Sequence, residues 1–240
     1  MSNPYQVVRD LEAAVADYTG APYVVAVNSC SMALLLAVAW HLREINPWLR
    51  QSEDAIRQQG PVHLRNNDWH LRYGIEIPKR TYVSVPMSII HAGGRPTFRD
   101  EDWVGAYQLK PLPVWDSARH FTGGMYSGRS TLGGVDIDHG CGGDMVCVSF
   151  HASKTLGDTQ GGAILHVSAE ADKWLRRARF DGRAEGVAPK DDTFTQIGYH
   201  CYMSPDVAAR LILKLHSLPR HNEPLPNDDY PDLSLAEAFK

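Results

Sequence analysis

The sequence predicts an α/β fold: a mostly parallel sheet covered by helices on both faces. Strand-like and helix-like segments alternate along the chain. The strand segments are near-continuous apolar runs, such as Tyr23–Val27 (YVVAV) and Met145–Phe150 (MVCVSF), the pattern of strands buried on both faces. Reactive side chains stand just beyond strand ends, where ligands bind in such sheets.

Apolar residues Tyr5, Val8, Leu11, Ala14, Val15 and Tyr18 recur at helical spacing, predicting a helix over 4–18 that Gly20 and Pro22 stop. Tyr23–Val27 follows as a strand. Asn28–Ser31 opens a second apolar helix running to about His41. Residues 44–73 differ in character, being polar and rich in Arg and Trp, and read as a surface insertion, helical in part.

The alternation then resumes with a strand at Gly74–Pro78, a helix at Tyr82–His91 ended by Gly93–Gly94, and strands at Arg95–Phe98 and Leu112–Trp115. Gly123–Gly143 is glycine-rich and predicts loops with short extended pieces. Strands at Met145–Phe150 and Ala163–Val167, then helices at Ala169–Phe180 and Pro205–Leu218, complete the domain. The main domain is set at 1–220. The tail 221–240, with Pro224, Pro226 and Pro231 and an acidic excess, predicts a loose segment.

Composition narrows the function classes. The chain has 240 residues, 43% hydrophobic and 22% charged, with a formal charge of −4. That excludes a disordered tail protein and a disulfide scaffold. Its longest apolar run, Ala33–Trp40, falls far short of the ~20 residues of a membrane helix. The N-terminus lacks the basic and apolar regions of a signal peptide. Cys30, Cys141, Cys147 and Cys201 form no CxxC pair and suit a reducing cytoplasm, or a host cytoplasm if the protein is viral. The net charge does not indicate a nucleic-acid partner, although it leaves DNA open through a local basic patch. The 11 histidines show no zinc spacing, so no metal is expected; His139 and Cys141 are merely close in sequence. Lys173, Arg176, Arg177 and Arg179 form a basic helix face, either solvated or guiding an anionic substrate.

Three strand ends carry chemistry. Asn28-Ser29-Cys30-Ser31 lies at a helix N-terminus and reads either as a phosphate cradle or as a plain N-cap. No GxGxxG or GxxxxGK[ST] supports a Rossmann or P-loop nucleotide site. Asp116 follows a buried strand, where a carboxylate needs a partner such as a protonated nitrogen or serves as a turn or cap. Lys154, one of seven lysines, stands beyond a buried strand and before a glycine-rich turn. It is either a desolvated Schiff-base amine or a surface lysine. Together, a phosphate cradle, a carboxylate and a lysine in this chain order meet the needs of pyridoxal phosphate.

From about Leu11 to Leu218, the insertion apart, the chain resembles the DegT/DnrJ/EryC1/StrS family of fold-type I pyridoxal phosphate enzymes, known mainly as sugar aminotransferases. VAVNSCSMALLLAV resembles the family's phosphate turn and sets Ser29, Cys30 and Ser31 against it. IPKRTYVSVPMSIIHAGGRPTFRD resembles the block whose aromatic residue, here Tyr82, stacks on the cofactor ring. VWDSARHF resembles the block that supplies the pyridine-nitrogen partner, Asp116. VSFHASKTLGDTQGGAIL is the most specific match and aligns Ser149 with a phosphate ligand and Lys154 with the aldimine lysine. GYHCYMSPDVAA resembles the block that reaches a neighbouring subunit's site. The resemblance implies the fold-type I large domain, a seven-stranded sheet sandwiched by helices with the small C-terminal domain largely absent. It also implies a homodimer with the active site at the subunit interface.

The departures are specific. The family's glycine is Cys30, tolerated only where φ is not positive. A family glutamine near the cofactor's phenolic oxygen is Arg119, which either holds the phenolate, recruits a substrate anion or turns to solvent. A family asparagine that helps hold phosphate across the dimer is His200, and a family arginine is Tyr202. The reading is an aminotransferase acting on a nucleotide-linked sugar or modified nucleotide. The alternative is a decarboxylase or related lyase acting on an amino-acid-modified nucleotide or a modified base in phage DNA. A third reading is a degenerate, non-catalytic family member.

Overall fold

Strand residues divide their side chains between two cores, one on each sheet face. In Tyr23–Val27 (β1), Val25 and Val27 join one core and Val24 and Ala26 the other. The same two-residue alternation splits Cys147 from Val146 and Val148, and Ile164 from Ala163 and Leu165. These strands are buried throughout. The computed structural model describes residues 5–45, 74–126, 129–132, 135–138, 144–227 and 229–240. Beyond residue 45, the expected insertion lies outside the described residues, as do His139 and Cys141.

Helix α1 (Gln6–Thr19) and helix α5 (Pro205–Ser217) cover one face of the sheet. Val8, Leu11, Val15 and Tyr18 of α1 form its buried stripe. Each such aliphatic side chain removed from water contributes about 1.5–3 kcal/mol. Gly20 ends α1 at φ 82°, donating its N–H to Ala16 O at 2.8 Å. The other face carries α2 (Cys30–Ile45), α3 (Ser84–His91) and α4 (Ala169–Ala178). Ser168 caps α4 by accepting the Ala171 N–H at 3.1 Å.

The remaining strands are β2 (Gly74–Pro78), β3 (Arg95–Arg99), β4 (Tyr107–Gln108), β5 (Val114–Asp116), β6 (Arg129–Leu132), β7 (Val135–Asp138), β8 (Met145–Ser149) and β9 (Gly162–His166). The main sheet has the order β1-β9-β8-β5-β4. A parallel β2–β3 pair joins this platform through two backbone hydrogen bonds between Glu76 and Lys110, at 2.7 and 3.1 Å. β6 and β7 form a separate hairpin.

The expectation of a mostly parallel sheet holds for the directions of β1, β8 and β5 but not for β9 and β4, so the sheet is mixed. The cause is local. A parallel return needs a helix-length crossover. Residues 150–161 between β8 and β9 contain no helix, and the turn between β4 and β5 is short. Both connections therefore send the chain straight back.

The tail makes defined contacts with the domain. Leu225 N–H bonds Arg119 O and Leu233 N–H bonds Lys79 O, at 2.8 and 2.9 Å. Leu233 is buried, and Asp232 pairs with Lys79 at 3.3 Å. Pro224, Pro226 and Pro231 carry no N–H that needs a partner, and the buried, apolar Leu233 anchors the segment.

The basic face of α4 is not simply solvated. Arg179 is buried against Glu12 of α1, which also accepts from Arg176 at 2.6 Å and from the Ala26 N–H at 2.9 Å. This knot joins α1, β1 and α4. Among the described residues no helix is long and apolar enough to cross a membrane.

Candidate active site

β1, β5 and β8 end at one edge of the sheet, and β9 begins there. Three stretches of chain from that edge contribute to a cavity of about 420 Å³. Ser29, Cys30 and Ser31 come from the start of α2, Asp116 from the end of β5, Ser149 from the end of β8, and Lys154 from the loop beyond it. Tyr82 and Arg119 complete the set of expected residues at this cavity.

The α2 end of the cavity is built for an anion. Ser29 caps the helix, its Oγ accepting the Met32 N–H at 3.3 Å. The amides that start a helix have no carbonyl partner within it. Cys30 sits in ordinary helix backbone, since the non-glycine residues at positive φ among those described are Asp181 and Phe194. The family glycine is therefore not needed at this position. Ser31 Oγ lies 2.6 Å from Ser84 Oγ, tying α2 to α3.

The Lys154 loop is closed by a backbone turn. Lys154 N–H bonds His151 O at 2.8 Å, and His151 N–H bonds Ser149 Oγ at 3.3 Å. Gly157 is required: a Cβ there would lie 2.6 Å from Ala152 O and 2.8 Å from Lys154 O.

Asp116 is buried at 5% exposure. Its Oδ1 accepts the Ala118 N–H at 2.9 Å and its Oδ2 accepts the Tyr107 hydroxyl at 2.8 Å. Burial raises its pKa, opposed by these two donors and by the positive charge of Lys154. Burial, then the Asp116 charge, pushes the Cys30 thiol well above its ordinary value, so it stays neutral.

Arg119 does not turn to solvent. It is buried, and its guanidinium donates to Pro226 O and, at 3.2 Å, to the Tyr230 hydroxyl. Tyr230 and Trp103 line the same cavity, their rings near-parallel at 12° with centroids 6.3 Å apart. The tail thus supplies part of the wall.

Tyr82 lies at the cavity with 58% exposure. His200 is not brought to the cavity within one chain; it is exposed and holds Asp181 at 3.0 Å. Sequence reasoning missed Thr81, Trp103, Tyr107 and Tyr230. Tyr107 sits in a two-residue strand, too short for any periodicity, and the tail's composition hides Tyr230. Among the described residues, no group of three or more His, Cys, Asp or Glu side chains is placed to hold a metal ion.

These residues fit pyridoxal phosphate. A helix start with the Ser29 and Ser31 hydroxyls, facing the same cavity as Ser149 from the end of β8, suits its phosphate. A buried carboxylate that calls for a cationic hydrogen-bond donor suits its ring nitrogen, and an amine beside that carboxylate suits its aldehyde. Fold and donor set define the class as a pyridoxal phosphate-binding α/β domain.

The chain belongs to the DegT/DnrJ/EryC1/StrS aminotransferase family, whose model matches residues 1–47 and 89–224. Tyr82 falls between the matched segments, so its assignment rests on its place at the cavity. Among curated proteins, none matches the sequence. Solved structures share the fold. A DegT DnrJ EryC1 StrS aminotransferase from Brucella abortus is 19% identical with a TM-score of 0.59, over 88% of this chain and 58% of that one. The sugar aminotransferase CalS13 from Micromonospora echinospora is 16% identical with a TM-score of 0.59, over 88% and 61%. DesI, solved in the presence of its TDP-sugar product, is 19% identical with a TM-score of 0.54, over 89% and 53%. The chain spans about three-fifths or less of the length of these structures.

Proposed function

We propose that this protein is a pyridoxal phosphate-dependent aminotransferase acting on a nucleotide-linked sugar or modified nucleotide. The observation that carries the reading is convergence: Ser29 and Ser31, Asp116, and Ser149 with Lys154, from three separate stretches of the chain, line one cavity. The family supports the reaction type. The TDP-sugar product of DesI supports the substrate class.

When bound, the cofactor supplies an aldehyde for condensation with amines and an electron-accepting ring. The protein's own residues would do the rest. The α2 amides with Ser29, Ser31 and Ser149 would hold the phosphate. Asp116 would keep a proton on the ring nitrogen. Lys154 Nζ would provide the anchoring amine and carry protons to and from the substrate carbon. Tyr82 would cover a ring face. Cys30, neutral and buried, would pack beneath.

The dimer belongs to the same proposal. Tyr82, Val83, Met87 and Ile90 are exposed apolar side chains at and along α3, beside the cavity. A second copy would cover them and receive His200 near its phosphate. Sedimentation of wild type and of Met87→Glu/Ile90→Glu tests this; a monomeric wild type contradicts it.

The decisive test is borohydride reduction of protein incubated with pyridoxal phosphate, followed by peptide mapping. The expected result is one labelled residue, Lys154, and conversion of the bound cofactor to its amine form by an amino donor such as glutamate. Failure of every donor to convert it overturns the aminotransferase reading. Carbon dioxide release without a ketoacid product would mark a decarboxylase instead.

A further inference from the structure

The antiparallel register of β4 against β5 places Tyr107 directly opposite Asp116. Tyr107 is buried, at 2% exposure, and no expectation from the sequence gave it a role. Its hydroxyl lies 2.8 Å from Asp116 Oδ2 and 2.6 Å from Thr81 Oγ1. A phenol has one proton to give. With that proton on Asp116, Thr81 must donate to the Tyr107 oxygen. Thr81 itself lines the cavity. The result is a directed chain from the cavity wall, Thr81 to Tyr107 to Asp116, ending on the carboxylate oxygen that the Ala118 amide does not hold.

We infer that Tyr107, oriented by Thr81, is the positioning residue that keeps Asp116 ionised and aimed for the cofactor's ring nitrogen. The inference rests on the pyridoxal phosphate reading above. Asp116 is almost wholly withdrawn from water, and a buried carboxylate without donors takes up a proton instead. A protonated Asp116 cannot stabilise a protonated ring nitrogen. Two hydrogen bonds to the charged form oppose that outcome, one fixed by the backbone and one supplied by Tyr107.

The other titratable groups facing Asp116 are Cys30 of α2, Cys147 of β8 and Lys154 of the following loop. Both thiols are held neutral by burial, and Lys154 adds a favourable charge. Tyr107 is thus the neutral side-chain donor on this carboxylate. Its own burial and the Asp116 charge push the phenol well above its ordinary value, so it keeps its proton at any working pH.

The test is a pH series of pyridoxal phosphate affinity, read by absorbance and fluorescence on wild type, Tyr107→Phe, Thr81→Val and Asp116→Asn. Melting temperatures are measured alongside. In Tyr107→Phe, affinity at neutral pH should fall about tenfold. The acid limb, where affinity is lost as Asp116 protonates, should move up by about one pH unit. Thr81→Val should move the limb the same way by less, which keeps the test valid if Tyr107→Phe folds poorly. Asp116→Asn should show no acid limb of this origin. A Tyr107→Phe profile that superimposes on wild type overturns the inference. So does an affinity loss with an unmoved acid limb, which would mark a merely structural role. If wild type takes up no pyridoxal phosphate, or if borohydride labels Lys154→Ala equally, the cofactor reading itself falls, and the inference with it.

Discussion

Gly162 packs against the start of α2 so closely that a Cβ on it would lie 2.6 Å from the Cys30 amide nitrogen and 2.7 Å from the Ser29 carbonyl carbon. Both neighbours are backbone, which cannot swing aside as a side chain can. Gly162→Ala should therefore displace the helix start that forms the phosphate end of the cavity, at about 1–3 kcal/mol of overpacking. The expected outcome is a lower melting temperature with at least a tenfold loss of pyridoxal phosphate affinity. Gly186→Ala is the control. Its φ of +81° with nothing within 4 Å of a new Cβ predicts backbone strain alone. It should lower the melting temperature and leave affinity unchanged. Equal affinities in both variants would separate Gly162 from the cavity.

The tail should be detachable by a single change. Leu233 is its buried anchor, between the Lys79 backbone contact and the Lys79–Asp232 ion pair. Leu233→Asp removes about 1.5–3 kcal/mol of apolar burial and places a charge in its position. Residues 224–240 should then be cut by protease well before the rest of the chain, while wild type resists. Arg119 would lose Pro226 and Tyr230 as partners, so the variant should also show a changed substrate KM. Identical digestion of both proteins would show that Leu233 does not hold the tail.

Much of this was legible because it depends on short-range pattern. The strand segments read at Tyr23–Val27 and Gly74–Pro78 become strands with those limits, and Asp116, Ser149 and Lys154 stand where strand ends put them. What escaped depends on pairing between distant segments. Tyr107 acquires its role only from the residue opposite it on β5. Tyr230 and Leu233 acquire theirs from surfaces made by Trp103 and Lys79. Arg179 is an intermediate case. It stands four residues after the buried Leu175, so helical spacing already set it on the inner side of α4 while its basic neighbours suggested solvent. Glu12, between Leu11 and Val15 on α1, was its hidden partner.

That pair predicts a large stability effect. Arg179 donates to Glu12 Oε1 and to Ala26 O at 2.6 Å, with both side chains almost fully buried. Removing one member of a buried pair leaves the other uncompensated, which costs about 3–5 kcal/mol. Glu185, at 3.3 Å from Arg179, covers part of that loss. Glu12→Gln should therefore destabilise the protein by about 2–4 kcal/mol in urea denaturation. Glu12→Leu/Arg179→Met, which removes both charges, should be more stable than Glu12→Gln. A double variant no better than the single one would show that packing, not the stranded charge, sets the cost.

His166 and Asp172 should give opposite slopes to stability against pH. Their nearest atoms, Nε2 and Oδ1, lie 3.7 Å apart, with the His166 ring stacked on Tyr23. Burial lowers His166 from 6.5 to about 4. Burial, then the Glu12 charge, raises Asp172 from 3.8 to about 6. For His166 the unfolded chain binds more protons between pH 4 and 6.5, so its contribution to stability is present above that window and lost as pH falls through it. For Asp172 the folded chain binds more protons between about pH 4 and 6, so its contribution is present at low pH and lost as pH rises. In wild type the two largely offset each other. His166→Phe, which keeps an aromatic ring on Tyr23, should make stability decline more steeply from pH 4.5 to 6.5 than in wild type. Asp172→Asn should make it climb more steeply over the same interval. Urea midpoints at the two pH values measure both differences, with every other carboxylate common to the three proteins. Parallel curves for all three would mean that neither group changes its proton affinity on folding.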